Sequence, residues 1–201
     1  MIRLLLADDQ TLVRTALAAL LELEDDFEVV AQVGRGDEVV AAALAAQVDV
    51  ALLDIEMPGM DGLAAAGALA QQMRTCRTII LTSFGRPGYL RRAMEAGASG
   101  FVVKDAPAEQ LADAVRRVAR GERVVDPALA AATLAGGASP LTARERDVLV
   151  AARDGATVAD IAAKLFLSEG TVRNYLSAAI AKTGVRNRVE AMRVADQRGW
   201  L

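Results

Sequence analysis

Along roughly the first 120 residues, short runs of β-branched and leucine residues alternate with longer alanine-rich stretches whose apolar positions recur at helical spacing. The runs Ile2–Ala7, Phe27–Val33, Val48–Leu53, Thr78–Thr82 and Gly100–Val103 are apolar almost throughout, as strands of a parallel sheet covered on both faces must be. Between and after them, Thr11–Leu23, Asp37–Gln47, Leu63–Met73, Gly88–Ala96 and Ala108–Arg120 read as helices. Beyond Thr142 the pattern is helical only, with four short helices fitting at about 142–153, 157–164, 168–182 and 187–197. Arg120-Gly121-Glu122-Arg123 closes the last helix of the first region, and Gly136-Gly137-Ala138-Ser139-Pro140 breaks the chain before the second. The expected organisation is a domain over 1–120, a linker over 121–139 in which Ala128–Ala135 forms a short helix, and a second domain over 140–201.

Five βα units imply an α/β fold of flavodoxin-like type, a five-stranded parallel sheet with helices on both faces, followed by a small all-α four-helix domain. In such sheets ligands gather beyond the carboxyl ends of the strands. Asp8 and Asp9 follow the first strand, Asp54 the third, Thr82 and Ser83 stand at the end of the fourth, and Lys104 at the end of the fifth. Three converging carboxylates repel one another unless a hard divalent cation joins them, and Mg²⁺ is the ion that favours carboxylate and water oxygens. A carboxylate beside Mg²⁺ and an ammonium is suited to accept a phosphoryl group, because both cations neutralise the transferred charge. Asp54 is the natural acceptor, with Lys104 and the Thr82 hydroxyl meeting the phosphoryl oxygens. Taken singly, Asp8 and Asp9 also read as caps of the following helix, and Lys104 as a solvated cation.

Composition narrows the chemistry. The 201 residues include no histidine, which removes the commonest general base and zinc ligand, and any internal phosphohistidine relay. The single cysteine, Cys76, forms neither an intrachain disulfide nor a multi-cysteine metal site, and reads as core. No apolar run reaches the roughly 18–20 residues of a membrane span, so no membrane insertion is expected, and the short apolar start followed by two acids reads as a strand of a cytoplasmic protein. The net charge of −3 divides unevenly: 13 basic and 19 acidic residues up to Gly137, then 10 basic and 7 acidic. Only the second half suits a polyanion.

Within that half, Thr142 with Glu145 forms a capping-box pattern, and Thr157–Leu165, a turn at Phe166-Leu167-Ser168 and the segment from Glu169 give helix, tight turn, helix. Ser168 as N-cap turns Val172, Leu176 and Ile180 inward and leaves Thr171, Arg173, Asn174, Ser177 and Lys182 outward. From Lys164 to Arg193 six basic residues face two acidic ones. Arg173, Asn174 and Thr171 suit base edges in a major groove, whereas Lys182, Arg186 and Arg188 suit sequence-blind phosphate contacts.

The acidic pair, the segment Asp54-Ile55-Glu56-Met57-Pro58-Gly59, the hydroxyl pair and Lys104 resemble the receiver domain of two-component response regulators. Leu141-Thr142-Ala143-Arg144-Glu145, Ile161-Ala162, Ser168-Glu169-Gly170-Thr171-Val172 and Gly184-Val185-Arg186-Asn187-Arg188 resemble the LuxR-type DNA-binding domain. Together they look like a regulator of the NarL/FixJ type, and several stretches, among them Arg86-Pro87-Gly88-Tyr89, further resemble regulators of membrane-lipid desaturase genes. The resemblance implies a histidine kinase that phosphorylates Asp54, a Glu56 backbone carbonyl completing the Mg²⁺ ligands, and Phe101 as an aromatic switch coupled to Thr82. It also implies a homodimer formed on phosphorylation, with double-stranded promoter DNA as ligand and RNA polymerase as a candidate partner. Asn174-Tyr175 stand where many relatives carry a histidine, so Tyr175 joins the expected DNA face. Two other readings stay open: a Mg²⁺-dependent phosphoaspartyl enzyme, and a constitutive DNA-binding protein whose acidic pocket is only structural. The expected dimer surface is formed by the Thr11–Leu23 and Ala108–Arg120 helices, with Arg116 and Arg117 as its charges.

Overall fold

A computed structural model describes residues 1–83, 87–135, 139–153 and 155–201. The Gly136-Gly137-Ala138 break and Arg86 lie outside the described residues. Two compact units are present, the larger built from residues 1–85 and 90–130, the smaller principally from Ala131–Leu201.

The larger unit is a parallel sheet in the order β2-β1-β3-β4-β5-β6. Its strands are β1 (Ile2–Ala7), β2 (Phe27–Val33), β3 (Val50–Asp54), β4 (Arg77–Thr82), β5 (Gly100–Val103) and β6 (Val124–Val125). Five match the expected runs to within two residues. The sixth was not expected: Val124–Val125 lie within the segment read as linker, and they pair with β5 in the register Gly100↔Val124 and Phe101↔Val125. The sheet therefore continues past Arg120.

The helices of this unit are α1 (Thr11–Leu21), α2 (Val39–Ala46), α3 (Gly62–Gln72), α4 (Pro87–Glu95) and α5 (Ala108–Ala119), followed by α6 (Pro127–Ala135). The Asp37–Gln47 segment opens with a single 3₁₀ turn, Gly36–Glu38, before α2 proper. Strand alternation sends Leu4, Leu6, Leu52, Ile79, Leu81 and Val102 to one face, where Leu111, Val115 and Val118 of α5 and Leu21 of α1 bury them. At about 25 cal/mol per Å² of apolar surface, such a set is the main force holding helix to sheet. Cys76 is buried, and its thiol is pushed up to about 11 by desolvation, which agrees with a core role.

The smaller unit comprises α7 (Ala143–Ala151), α8 (Val158–Leu165), α9 (Glu169–Thr183) and α10 (Arg188–Gln197). Each start is capped by a side chain, Thr142 and Ser168 as expected, and Thr157 and Asn187 in addition. Val148, Leu149, Ile161, Val172, Leu176, Ala179 and Trp200 form the core among them. Among the described residues no helix is long and apolar enough to cross a membrane.

Candidate phosphoacceptor pocket and DNA-facing helix

The strand order places the ends of β1, β3, β4 and β5 side by side, which brings their polar terminal residues together. Asp8 and Asp54 are buried, Asp9 is exposed, and one carboxylate oxygen from each lies within 4.8 Å of the others. Lys104 reaches across from β5, its ammonium 2.7 Å from Asp8 Oδ2 and 3.0 Å from Asp54 Oδ1. The Lys104 amide donates to the Thr82 carbonyl at 2.8 Å, which locks the ends of β4 and β5 together. Thr82 is buried at the end of β4, and Ser83 beside it is exposed.

Helix capping does not account for the acidic pair. The N-cap of α1 is Gln10, without a side-chain capping bond. Asp8 Oδ1 accepts the Gln10 amide at 2.9 Å, the Asp8 amide donates to the Val33 carbonyl, and Arg14 donates to the Asp8 carbonyl. These bonds hold the Asp8 backbone and one carboxylate oxygen while Oδ2 stays directed into the pocket. The loop after β3 is held as tightly: Gly62 donates to the Ile55 carbonyl at 2.9 Å, and a Cβ on Gly62 would fall 1.8 Å from the Asp54 carbonyl oxygen. Only glycine lets α3 begin so close to the acceptor strand.

The electrostatics are those of an acid excess. Burial raises the pKa of Asp54, and the nearby Lys104 only partly reverses this while Asp8 adds to it. Desolvation opposes the charge on Lys104, but Asp8 and Asp54 more than offset it, so its pKa rises. Although Lys104 Nζ and Asp8 Oδ2 are in contact, neither atom finds a partner in hydrogen-bond geometry, and both are buried. Three carboxylates gathered beside one ammonium that meets only Asp8 and Asp54, with a buried carboxylate oxygen left without a partner in hydrogen-bond geometry, fit a hard divalent cation held by oxygen ligands. The Glu56 residue whose carbonyl was expected to complete the set is exposed in the loop two positions beyond Asp54. Phe101 is buried to 2% exposure in the strand next to β6.

In the smaller unit, α9 presents Arg173, Asn174 and Ser177 to solvent, with Thr171 half-buried. The Arg173 guanidinium lies 2.5 Å from Glu169 one turn earlier, an exposed intrahelical pair of little net strength that an incoming anion can displace. Arg186 is exposed. Three expected contact residues are engaged within the unit. Tyr175 packs partly against the core, Arg188 donates to the Ala156 carbonyl at 2.9 Å, and the Lys182 ammonium is 2.7 Å from Glu145 Oε2. Glu145 is buried; desolvation raises its pKa, but Lys182 and Thr142 outweigh that, and its carboxyl is held below the ordinary value of 4.5.

The sequence reading left out the partner of Arg116. This side chain on α5 binds Glu24 and Asp26 at 2.6 Å each and stacks 4.8 Å from the Phe27 ring centre, while Arg117 pairs with Glu122 and Asp113. The two arginines expected to face a dimer partner are thus neutralised within their own chain.

Comparison with known proteins agrees with this geometry. The response regulator receiver domain matches residues 4–116, and the luxR family of bacterial regulatory proteins matches residues 139–195. The transcriptional regulatory protein DesR of Bacillus subtilis is 44% identical over 201 residues, covering the whole of both chains. The response regulator RamR of Streptomyces coelicolor is 44% identical, over all of this chain and 98% of its own. Among solved structures, the response regulator ChrA of a heme-sensing two-component system is 36% identical and covers all of this chain and 98% of its own, with a TM-score of 0.59. The chain belongs to the two-component response regulators, with a receiver domain followed by a LuxR-type DNA-binding domain.

Proposed function

We propose that a histidine kinase transfers a phosphoryl group to Asp54 and that this switches dimerisation and sequence-specific promoter binding. The observation that carries the reading is the convergence of Asp8, Asp9, Asp54 and Lys104 at one edge of the sheet. In the reaction an Asp54 carboxylate oxygen forms a bond to phosphorus as the phosphorus–nitrogen bond of the kinase phosphohistidine breaks. Asp8, Asp9, Asp54 and the Glu56 carbonyl would hold Mg²⁺, which supplies charge neutralisation at the phosphoryl oxygens. Lys104 is already beside Asp54 and pairs with a phosphoryl oxygen once the carboxylate carries the phosphoryl group as an acyl phosphate. The Thr82 and Ser83 hydroxyls donate to the others, and the rearrangement around Thr82 is read by Phe101. The acceptor is consumed once per phosphorylation and the second domain binds DNA, so the reading is a regulator and not an enzyme, acting in the cytoplasm. RNA polymerase would be met at the promoter.

On DNA, Arg173, Asn174 and Thr171 meet base edges, Ser177 and Tyr175 border them, and Arg186 and Arg188 approach phosphates. For the dimer, α1 carries an apolar line of Leu12, Ala16 and Leu20, with Leu12 83% and Leu20 46% exposed, and Leu23 follows the helix at 79%. A cavity of about 80 Å³ lined by Leu17, Leu20, Leu111 and Lys104 lies between α1 and α5. The resemblance of several stretches of the sequence to regulators of membrane-lipid desaturase genes extends the reading to membrane-lipid genes as the regulated set.

The test treats the full-length protein with Mg²⁺ and a small phosphodonor, in wild-type and Asp54→Asn forms, and follows mass and oligomeric state together. The expected result is a single phosphoryl adduct, absent from Asp54→Asn, accompanied by dimerisation. Release of many phosphates per protein would favour a phosphoaspartyl enzyme, and an adduct without change in assembly or DNA affinity would leave DNA binding under another control.

A further inference from the structure

Lys182 lies in the last turn of α9, where its basic surroundings suggest a phosphate contact. Its ammonium instead meets Glu145, a residue 37 positions earlier that is 5% exposed. The Glu145 oxygen that takes the ammonium at 2.7 Å, Oε2, also accepts the Thr142 amide at 2.7 Å. A single carboxylate oxygen therefore ties the start of α7 to the end of α9.

This matters because of what else holds α9. Its buried contacts are Val172, Leu176 and Ala179, apolar groups without directional bonds, so they fix the face of the helix more firmly than its rotation or its position along its axis. A directional, charge-assisted bond at one end supplies that restraint. The outward residues Arg173, Asn174 and Ser177 stand on the same rigid helix, and Arg173 is about 14 Å from Lys182 at the rise of an α-helix. A tilt at the anchored end is thereby carried to the residues that face the groove.

We propose that the Glu145–Lys182 pair positions α9 for base recognition and that Lys182 is not itself a phosphate contact. The proposal rests on the reading of α9 as the DNA-facing helix. The two ideas about Lys182 predict opposite signs for Glu145→Gln. Glutamine preserves the capping bond to Thr142, while the substitution removes an acid near DNA and leaves the Lys182 ammonium without its counter-charge, held at most by a weaker neutral acceptor. If Lys182 were a phosphate contact, Glu145→Gln would bind all DNA more tightly and with a steeper salt dependence. If the pair positions the helix, Glu145→Gln loses discrimination instead.

The experiment uses full-length protein and an operator selected by wild type from random-sequence duplexes. Wild type, Glu145→Gln, Lys182→Met, Lys182→Arg and Arg173→Ala are titrated with that operator and with its scrambled version across a salt series. Trp200 fluorescence melts establish that the smaller unit is folded. The expected result is a fall in the operator-to-scrambled ratio of at least about fivefold for Glu145→Gln and Lys182→Met, the scale of one base contact. The salt slope stays unchanged, and Lys182→Arg restores the ratio. A slope lower by about one unit in Lys182→Met, with equal loss on both duplexes, would overturn the proposal in favour of a phosphate contact. Unaltered discrimination in Glu145→Gln would overturn it as well, even where Lys182→Met fails to fold. Failure to select any operator, or an Arg173→Ala protein with wild-type binding, would instead remove the reading of α9 on which the proposal stands.

Discussion

Lys104 and Lys182 each bring an ammonium to 2.7 Å from a carboxylate oxygen that solvent barely reaches, one in the receiver and one in the DNA-binding domain. The contacts match in length and differ in meaning. Around Lys104 two buried acids share a single cation with a third, exposed acid beside them, and Asp8 Oδ2 touches the ammonium without a partner in hydrogen-bond geometry. Around Lys182 one acid meets one base, and the carboxylate oxygen is also satisfied by a backbone amide. Where charge is left over, the cluster is built to receive something; where it closes on itself, the cluster holds helices together.

The largest effect should come from reducing the surplus in the first cluster. Asp8→Asn is expected to weaken Mg²⁺ binding by at least about tenfold, the scale on which even groups outside the ligand shell act, as measured by titration calorimetry. Unchanged affinity would mean that the acid excess does not make the site. The balanced cluster should respond in stability. Glu145→Gln is expected to destabilise the smaller unit by about 1–2 kcal/mol at pH 7, the worth of a partly exposed charged hydrogen bond. Trp200 reports on that unit alone, since it is the only tryptophan of the chain. The pH dependence follows from the depressed pKa of Glu145: its contribution is complete above the unfolded value of 4.5 and is lost as pH falls through the lower folded value. Wild type and Glu145→Gln should therefore converge in acid, and a gap that persists there would assign the effect to packing. The smallest effect carries the clearest sign. In the presence of chelator, Asp54→Asn should stabilise the receiver, by about 1 kcal/mol or less, because it relieves repulsion among desolvated acids. Destabilisation in urea unfolding would contradict the surplus.

The receiver pocket was legible in sequence because each of its residues ends a strand, and parallel strands bring their ends together whatever lies between. Hydrophobic runs therefore located Asp8, Asp54, Thr82 and Lys104 as well as the strands themselves. The caps Thr142 and Ser168 were legible for a different reason, since each satisfies amides within its own next turn. What escaped was long-range and polar. Nothing local links Lys182 to Glu145, or Arg116 to Glu24 and Asp26 some 90 positions away, and a basic side chain without a visible partner reads as free. The neutralisation of Arg116 also changes how a dimer surface on α1 and α5 should be probed: charge reversal there would break an internal clamp, whereas a polar residue at Leu20 would leave it intact. The strand β6 escaped because two valines between Arg123 and Asp126 are too few to show a period.

That short strand has a practical consequence for anyone who isolates the receiver. β6 is the last strand of the sheet and covers the free side of β5 at Gly100 and Phe101. A fragment ending at Arg120 would lose it and expose a row of unpaired backbone donors and acceptors beside a buried aromatic residue, a surface open to edge-to-edge strand addition between molecules. Self-association of such a fragment would report a cut made too early, and only a chain that keeps Val124 and Val125 gives an assembly state attributable to phosphorylation.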